Sequence, residues 1–319
     1  MKILANDGIS IEGVEALEKA GFEVVTENIP QEQLVDYINS NNIVALLVRS
    51  ATTVRKDLID SCPSLKLIGR GGVGMDNIDV DYARSIGRVV INTPGASSQS
   101  VAEMVMGNLF SLSRSLFHSH RVMPQKGNIE FKALKKKYGK GQELRGKTIG
   151  IVGFGRIGCS LASYCLGIGM KVIAVDMQSN EVKIPIHING TADINVKIKP
   201  FTNLLDVIGE LDYISLHIPK QANGKAVIND LEIEKMKDGV IIVNAARGGV
   251  IDEDALLRGI KSGKIRAAAL DVFENEPSPR KDLLENESIA TTPHIGAATT
   301  EAQKRIGLEL AEQIIKYFK

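Results

Sequence analysis

The sequence predicts an α/β protein of two doubly wound parallel-sheet domains, the second inserted into the first. Three observations predict it. Short apolar runs alternate with helical patterns through residues 1–96 and resume after residue 147, and near-continuous apolar strands separated by helices imply parallel sheets covered on both faces. A Gly-x-Gly-x-x-Gly run, Gly153 to Gly158, stands between a strand pattern and a helical one. The last helical pattern, opened by Thr300, follows the final strand of the second series and can return to close the first domain. The expected division is 1–96 with 297–319 for one domain and 97–296 for the other.

Bulk properties exclude several classes. A chain of 319 residues suffices for two cores, and a net charge of +1 lacks the positive field of a nucleic-acid binder. No apolar run approaches the roughly 18 residues of a membrane span, and the N-terminus lacks the apolar core of a signal peptide. Cys62, Cys159 and Cys165 have no metal-ligand spacing and read as reduced core thiols. The expectation is a cytoplasmic protein with no membrane, nucleic-acid or metal partner.

In the first domain, strands are expected at Lys2–Ala5, Phe22–Val25, Ile43–Val48, Leu65–Ile68 and Val89–Ile91, with helices at Ile11–Ala20 and Gln31–Asn39. Ligands of such sheets sit beyond the C-terminal strand ends. Two loops there suit an anion. One carries Arg49 and Ser50; the other, Gly69 to Asp79, carries Arg70 and the run Gly72-Val73-Gly74. Four glycines within 69–74 let backbone N–H groups converge on an anion. The expected partner is therefore a small anionic substrate.

Asn92-Thr93-Pro94-Gly95 marks the crossing to the second domain. Ser100-Val101-Ala102-Glu103 reads as a capping box that starts a long helix. Val101, Met104, Val105, Leu109, Leu112 and Leu116 form its apolar face. Met106 and Phe110 widen that face beyond one buried side, which suggests a homodimer formed through this domain. Residues 123–140 hold six lysines against the single acid Glu130 and read as a solvated connector. The sharper alternative is that some of these lysines reach an anionic substrate.

The strand Lys147–Val152, the glycine run, a helix with Ile157, Leu161, Ala162, Cys165 and Leu166 on one face, and the strand Val172–Val175 ending on Asp176 make one unit of dinucleotide-binding type. Gly153 permits the tight turn, Gly155 the approach of a pyrophosphate and Gly158 close helix packing. The N–H groups of Arg156 and Ile157 open the helix toward the phosphates. Asp176 accepts from the adenosine ribose hydroxyls and repels a 2′-phosphate, so NAD is expected rather than NADP. The pair is thus a flavodoxin-like substrate domain and a Rossmann NAD domain. Residues 177–199 give no clear pattern, and Pro185 allows an edge strand at best. A helix is expected near 203–209. His217-Ile218-Pro219 then ends the strand from Tyr213, near the adenosine. Ala245, Ala246 and Arg247 follow the strand Val240–Asn244, and a helix capped by Asp252 and closed by Gly263 comes next. Asp271 ends the strand Ala267–Leu270.

Arg247, Glu276 and His294 stand at or just beyond strand ends and suit one chemistry. A histidine takes a hydroxyl proton as hydride leaves the same carbon. A carboxylate on its other nitrogen fixes the tautomer, and a guanidinium holds a substrate carboxylate in two parallel hydrogen bonds. The Gly153–Gly158 run with Asp176, Asn-Ala-Ala-Arg-Gly-Gly at 244–249, Asp-Val-Phe-x-x-Glu-Pro at 271–277 and Pro-His-Ile-Gly-Ala at 293–297 together resemble the D-isomer-specific 2-hydroxyacid dehydrogenases over essentially the whole chain. The resemblance implies that Arg247 binds the substrate carboxylate, Glu276 tunes His294, and His294 is the acid/base. It also implies that Asp271 holds the nicotinamide carboxamide, with Gly296 and Ala297 beside the cofactor and the Gly72–Gly74 loop on the substrate. The runs at 48–52 and 69–79 are most similar to members acting on a phosphorylated 2-hydroxy acid, where Arg49 and Arg70 would supply the extra cations. The site would lie between the domains and close on its substrate. The chain ends at Lys319 without the regulatory domain that some relatives carry, so control through such a domain is not expected. The rivals are another 2-hydroxyacid dehydrogenase and a dinucleotide-sensing scaffold without catalysis.

Overall fold

Strands β1 (Lys2–Ala5), β2 (Glu23–Val25), β3 (Ile43–Val48), β4 (Leu67–Arg70) and β5 (Val89–Asn92) pair in parallel in the order β2-β1-β3-β4-β5, the flavodoxin-like order. The computed structural model describes residues 1–319. It divides them into two units, 1–100 with 297–319, and 101–296. Apolar side chains on both faces of β3 demand cover on both. One face receives Leu17 of α1 (Ile11–Lys19) and Ile306, Leu310 and Ile314 of the C-terminal helix Thr300–Phe318. The other receives Leu34 and Ile38 of α2 (Leu34–Ser40), Leu58 and Ile59 of α3 (Lys56–Ser61) and Ala83 of α4 (Val80–Ser85). The C-terminal helix crosses α1 at two glycines. A Cβ on Gly13 would lie 2.8 Å from the Gly307 carbonyl, so only glycine lets the backbones approach this closely.

The strand expected at 65–68 lies at 67–70, which makes Arg70 a strand residue opposite Val48 and Asn92. Gly69 is no turn signal here: a Cβ would lie 2.7 Å from the Leu47 side chain, so the glycine is a packing contact within the sheet.

The second unit begins within α5 (Ser98–Ser113), at Val101, and continues through α6 (Leu116–Lys126) and α7 (Phe131–Tyr138). Its sheet strands are β6 (Thr148–Val152), β7 (Lys171–Val175), β10 (Tyr213–Leu216), β11 (Val240–Asn244), β12 (Ile265–Leu270) and β13 (Ile289–Thr291). β8 (Val182–Ile186) and β9 (Ile194–Ile198) form a separate antiparallel pair. Helices α8 (Arg156–Gly167), α9 (Asp230–Lys235), α10 (Glu253–Ser262) and α11 (Lys281–Leu284) complete it. The sheet is parallel in the order β13-β12-β11-β10-β6-β7. Chain direction across the sheet reverses beside β6, and the crevice beyond such a switch point is where these sheets bind ligands. Val152 pairs with both Leu216 and Val175, so three strand ends and their loops emerge side by side.

Several expectations change. The long helix starts at Ser98, so Ser100 lies in its first turn and is not its cap. It ends at Ser113, and Ser115, at φ 51°, turns Leu116 onto a new helix where it is exposed. Met106 is buried against Cys165, not part of a surplus surface, while Phe110 is exposed. The lysine-rich stretch is α7 and its approaches, with Lys126 near Glu130 and Lys137 near Glu287. Residues 203–209 form two 3₁₀ turns, not a helix. The unreadable 177–199 is the β8–β9 hairpin, in which both strands are edges, so Pro185 is tolerated. The Pro185 carbonyl accepts from Ser163 Oγ at 2.6 Å, and Ile184 is buried against the α8 face.

Candidate active site

The glycine run joins β6 to α8 and divides its tasks by position. Gly153 has φ 91°, and a Cβ there would lie 2.5 Å from the His217 carbonyl. A Cβ on Gly158 would lie 2.3 Å from the Gly153 carbonyl, so this glycine seats the helix on the loop. At Gly155 a Cβ would meet nothing within 4 Å; its space is open for a ligand to approach the backbone. The helix has no side-chain cap, so no N-cap side chain takes up its first-turn N–H groups, where the positive end of the helix dipole lies. These features fit a dinucleotide pyrophosphate.

Asp176 follows β7. Its Oδ2 accepts from the Phe154 N–H at 2.7 Å and its Oδ1 from the Gln178 N–H at 3.0 Å. The carboxylate therefore fixes the glycine loop, a role not read from the sequence. A carboxylate accepts about four hydrogen bonds, so capacity remains for ribose hydroxyls, and its charge opposes a 2′-phosphate. His217 is turned inward. Its Nε2 meets the buried Ser215 Oγ at 2.8 Å, and Nδ1 is out of contact with solvent and without a partner. Burial pushes the imidazole down to about 4. Its backbone carbonyl, not its ring, lies against the glycine loop. Ile218 packs on the apolar core and Pro219 is exposed.

The loop after β11 is clamped by Asn244, whose Nδ2 donates to the Arg247 carbonyl at 3.0 Å while its Oδ1 accepts from the Ala246 N–H at 3.1 Å. Ala245 is part-buried there, and Arg247 Nη1 donates to the Ala246 carbonyl at 2.7 Å. His294 Nδ1 and Glu276 Oε2 are 2.8 Å apart. An ionised carboxylate can only accept, so Nδ1 carries a proton, and in the neutral ring Nε2 keeps a lone pair. The imidazole remains 43% exposed, so that lone pair is accessible. His294 adopts φ 53°, a left-handed conformation unusual for a side chain of this size.

Asp271 explains how that conformation is held. It is buried, and its Oδ1 accepts from Thr292 Oγ1 at 2.6 Å and from the Ile295 N–H at 2.8 Å, with Oδ2 accepting from the Gly296 N–H at 2.9 Å. Three donors bracket His294. The carboxylate expected to hold a nicotinamide carboxamide is thus largely committed to the histidine loop. Only spatial neighbours reveal this, because Ile295 and Gly296 donate backbone N–H groups that any residue possesses.

In the first unit, Arg70 ends β4 opposite Val48, the last residue of the paired strand β3, and Arg49 is the next residue after β3. Asp7 accepts from the Arg49 N–H at 2.6 Å and shapes that loop, with Ser50 exposed beside it. Gly72, at φ 146°, leaves room for the Arg70 guanidinium; a Cβ would lie 1.6 Å from Nη1. The Gly71 and Gly72 N–H groups are committed to the Val48 and Arg70 carbonyls. Any anion nest is therefore narrower than four glycines suggest. Ala297 belongs to this unit, its carbonyl accepting from Gln303 Nε2 at 2.7 Å.

A pyrophosphate cradle and a solvent-facing histidine held by a carboxylate, both at the C-terminal edge of one parallel sheet, define an oxidoreductase that interconverts an alcohol and a ketone. Residues 106–296 match the family model for the D-isomer specific 2-hydroxyacid dehydrogenase, NAD binding domain. The chain is 43% identical to a hydroxypyruvate reductase of Thermotoga maritima, covering 99% of this chain and 97% of that one. It is 40% identical to the D-3-phosphoglycerate dehydrogenase of Archaeoglobus fulgidus over its whole length, but spans only 58% of that protein. The solved glyoxylate reductase of Paecilomyes thermophila superposes with a TM-score of 0.80 at 29% identity, over 98% of this chain and 93% of that one. The chain belongs to the D-isomer specific 2-hydroxyacid dehydrogenase family and is an NAD-dependent oxidoreductase.

Proposed function

We propose that this enzyme oxidises D-3-phosphoglycerate to 3-phosphohydroxypyruvate, the first step toward serine. The observation that carries the reading is that Arg70 ends β4 and Arg49 directly follows β3, the strand hydrogen-bonded to it. A phosphate with nearly two negative charges calls for cations beyond the one that a carboxylate occupies. When bound, NAD takes up the hydride from C2. Gly153, Gly155, Arg156, Ile157 and Gly158 would hold its pyrophosphate, and Asp176 its ribose. Arg247 pairs with the substrate carboxylate and fixes the face that C2 presents. The Nε2 of His294 takes the C2 hydroxyl proton while Glu276 supports the charge that develops on the ring. In the reverse direction the protonated ring returns that proton to the ketone oxygen. Val73 and Gly74 would donate backbone N–H groups to the substrate.

A second reading has its own support. A relative of matching length is a hydroxypyruvate reductase, whose name specifies an unphosphorylated substrate. Initial rates with D-3-phosphoglycerate and D-glycerate, followed by NADH absorbance, separate the two. Arg49→Ala and Arg70→Ala are each expected to lower kcat/KM for the phosphorylated acid by about ten- to a hundredfold, the loss of one charge-assisted contact, and to spare D-glycerate. Equal losses on both substrates, or D-glycerate as the better substrate of the unaltered enzyme, would discard the phosphate reading.

The enzyme is further proposed to act as a homodimer through its NAD domain, in a reducing cytoplasm that suits its three free thiols. Phe110, Leu116, Met123, Ile129 and Phe131 are all exposed apolar side chains within one stretch of 22 residues, a concentration that a monomer seldom leaves in water. Sedimentation equilibrium that finds only monomers would end this part of the proposal.

A further inference from the structure

Beneath the loop that carries Glu276 lies a carboxyl group with no task in the hydride-transfer scheme. Glu253, the first residue of α10, is only 5% exposed. Its Oε1 accepts from the Glu274 N–H at 2.9 Å, and its Oε2 is buried without a hydrogen-bond partner. Burial pushes this carboxyl up from its ordinary range. The neighbouring charges of Glu274 and Asp282 act in the same direction, while the Glu274 N–H and Arg280 oppose it. A buried acid with one idle oxygen costs stability, so its place in the structure calls for an explanation.

The loop Asp271–Pro277 supplies one, because it is held at successive points. The Phe273 N–H donates to Glu276 Oε1 at 2.9 Å. The Phe273 carbonyl rests on Gly248, where a Cβ would lie 1.8 Å away. The next N–H, that of Glu274, is the one Glu253 accepts. Glu276 follows two residues later, and its second oxygen meets His294 Nδ1 at 2.8 Å. Glu253 itself stands six residues beyond Arg247, in the first turn of the helix that the arginine loop leads into. A rigid carboxylate link therefore runs from the element bearing the arginine to the loop bearing the glutamate.

We propose that Glu253 is a positioning residue that locks the Glu276 loop to α10 and so aims the His294 ring. It touches neither substrate nor cofactor. The inference rests on the reading of Glu276 and His294 as the acid/base pair, and its test distinguishes the two. In the full-length enzyme, Glu253→Ala removes the acceptor, while Glu253→Gln keeps an oxygen in its place. Two quantities are read: kcat with KM for NAD, and the downfield proton resonance of the His294 Nδ1–H bonded to Glu276.

Glu253→Ala is expected to lower kcat about ten- to a hundredfold, the effect of a small misplacement of a reacting group, to leave KM for NAD unchanged, and to abolish the resonance. Glu253→Gln should recover most of both. Combined with Glu276→Gln, Glu253→Ala should cause no further loss, since both act through one contact. Undiminished kcat with an intact resonance in Glu253→Ala would overturn the proposal, and so would losses that add in the double variant. If Glu276→Gln alone leaves kcat intact, the acid/base reading fails, and the resonance in Glu253→Ala still decides whether Glu253 positions the loop. Should the alanine variant not fold, Glu253→Asp, shorter by one methylene, carries the same measurements with the same two outcomes.

Discussion

His294 combines a left-handed backbone, an exposed ring and a carboxylate on Nδ1, and each has a separate cause. The conformation costs roughly 1–2 kcal/mol for a residue with a Cβ, and the three donors on Asp271 hold it there. Asparagine tolerates that conformation, so His294→Asn isolates the proton transfer from the backbone. It is expected to lower kcat by about a hundred- to ten-thousandfold while NAD binds as before in calorimetric titration. Retained turnover would remove the histidine from the chemistry. The contact between Glu276 and His294 joins two residues that the sequence singled out, with Arg247, because each lies a few residues beyond a strand inside a dense motif. The clamping roles of Asp176, Asp271 and Glu253 were not legible there, because their partners are backbone N–H groups that any residue possesses.

The strand–glycine loop–helix element ties packing to binding through single Cβ atoms. Gly158→Ala would press a methyl group onto the Gly153 carbonyl, a backbone atom that cannot step aside. Overpacking of this kind costs about 1–3 kcal/mol, so Gly158→Ala should lower both thermal stability and NAD affinity. Gly155→Ala meets open space within the protein, so it should keep the fold and lose only NAD affinity, because its methyl enters the path of the pyrophosphate. Calorimetry of both variants, in unfolding and in NAD titration, checks the contrast; identical behaviour would refute it. The element itself was readable from strand, glycine spacing and acid. The hairpin β8–β9 was not, since two edge strands with one buried position, Ile184, leave almost no periodic signal.

At the scale of the whole molecule, one group that makes stability depend on acid is His217 of the second unit. His217 is held near pKa 4 against an ordinary 6.5, so the unfolded chain binds its proton first and stability falls as pH drops from 6.5 toward 4. The unit should lose about 2 kcal/mol between pH 7 and pH 5 through this one group, measured by urea unfolding. Glu253 works in the opposite sense, its raised pKa weakening the fold as pH rises through it. Replacing His217 by phenylalanine should flatten the acid limb; an unchanged limb would assign it to other groups. The sequence by itself determined the strand–helix alternation and the strand–glycine loop–helix element and singled out Arg247, Glu276 and His294 as candidates, because periodicity and spacing are local properties of the chain. Tertiary structure alone decided which N–H groups the buried carboxylates hold, that His217 faces inward and that Met106 is core, because these depend on neighbours distant along the chain. The register that sets Arg70 opposite Val48, the residue before Arg49, is likewise a matter of sheet order, which no run of residues states.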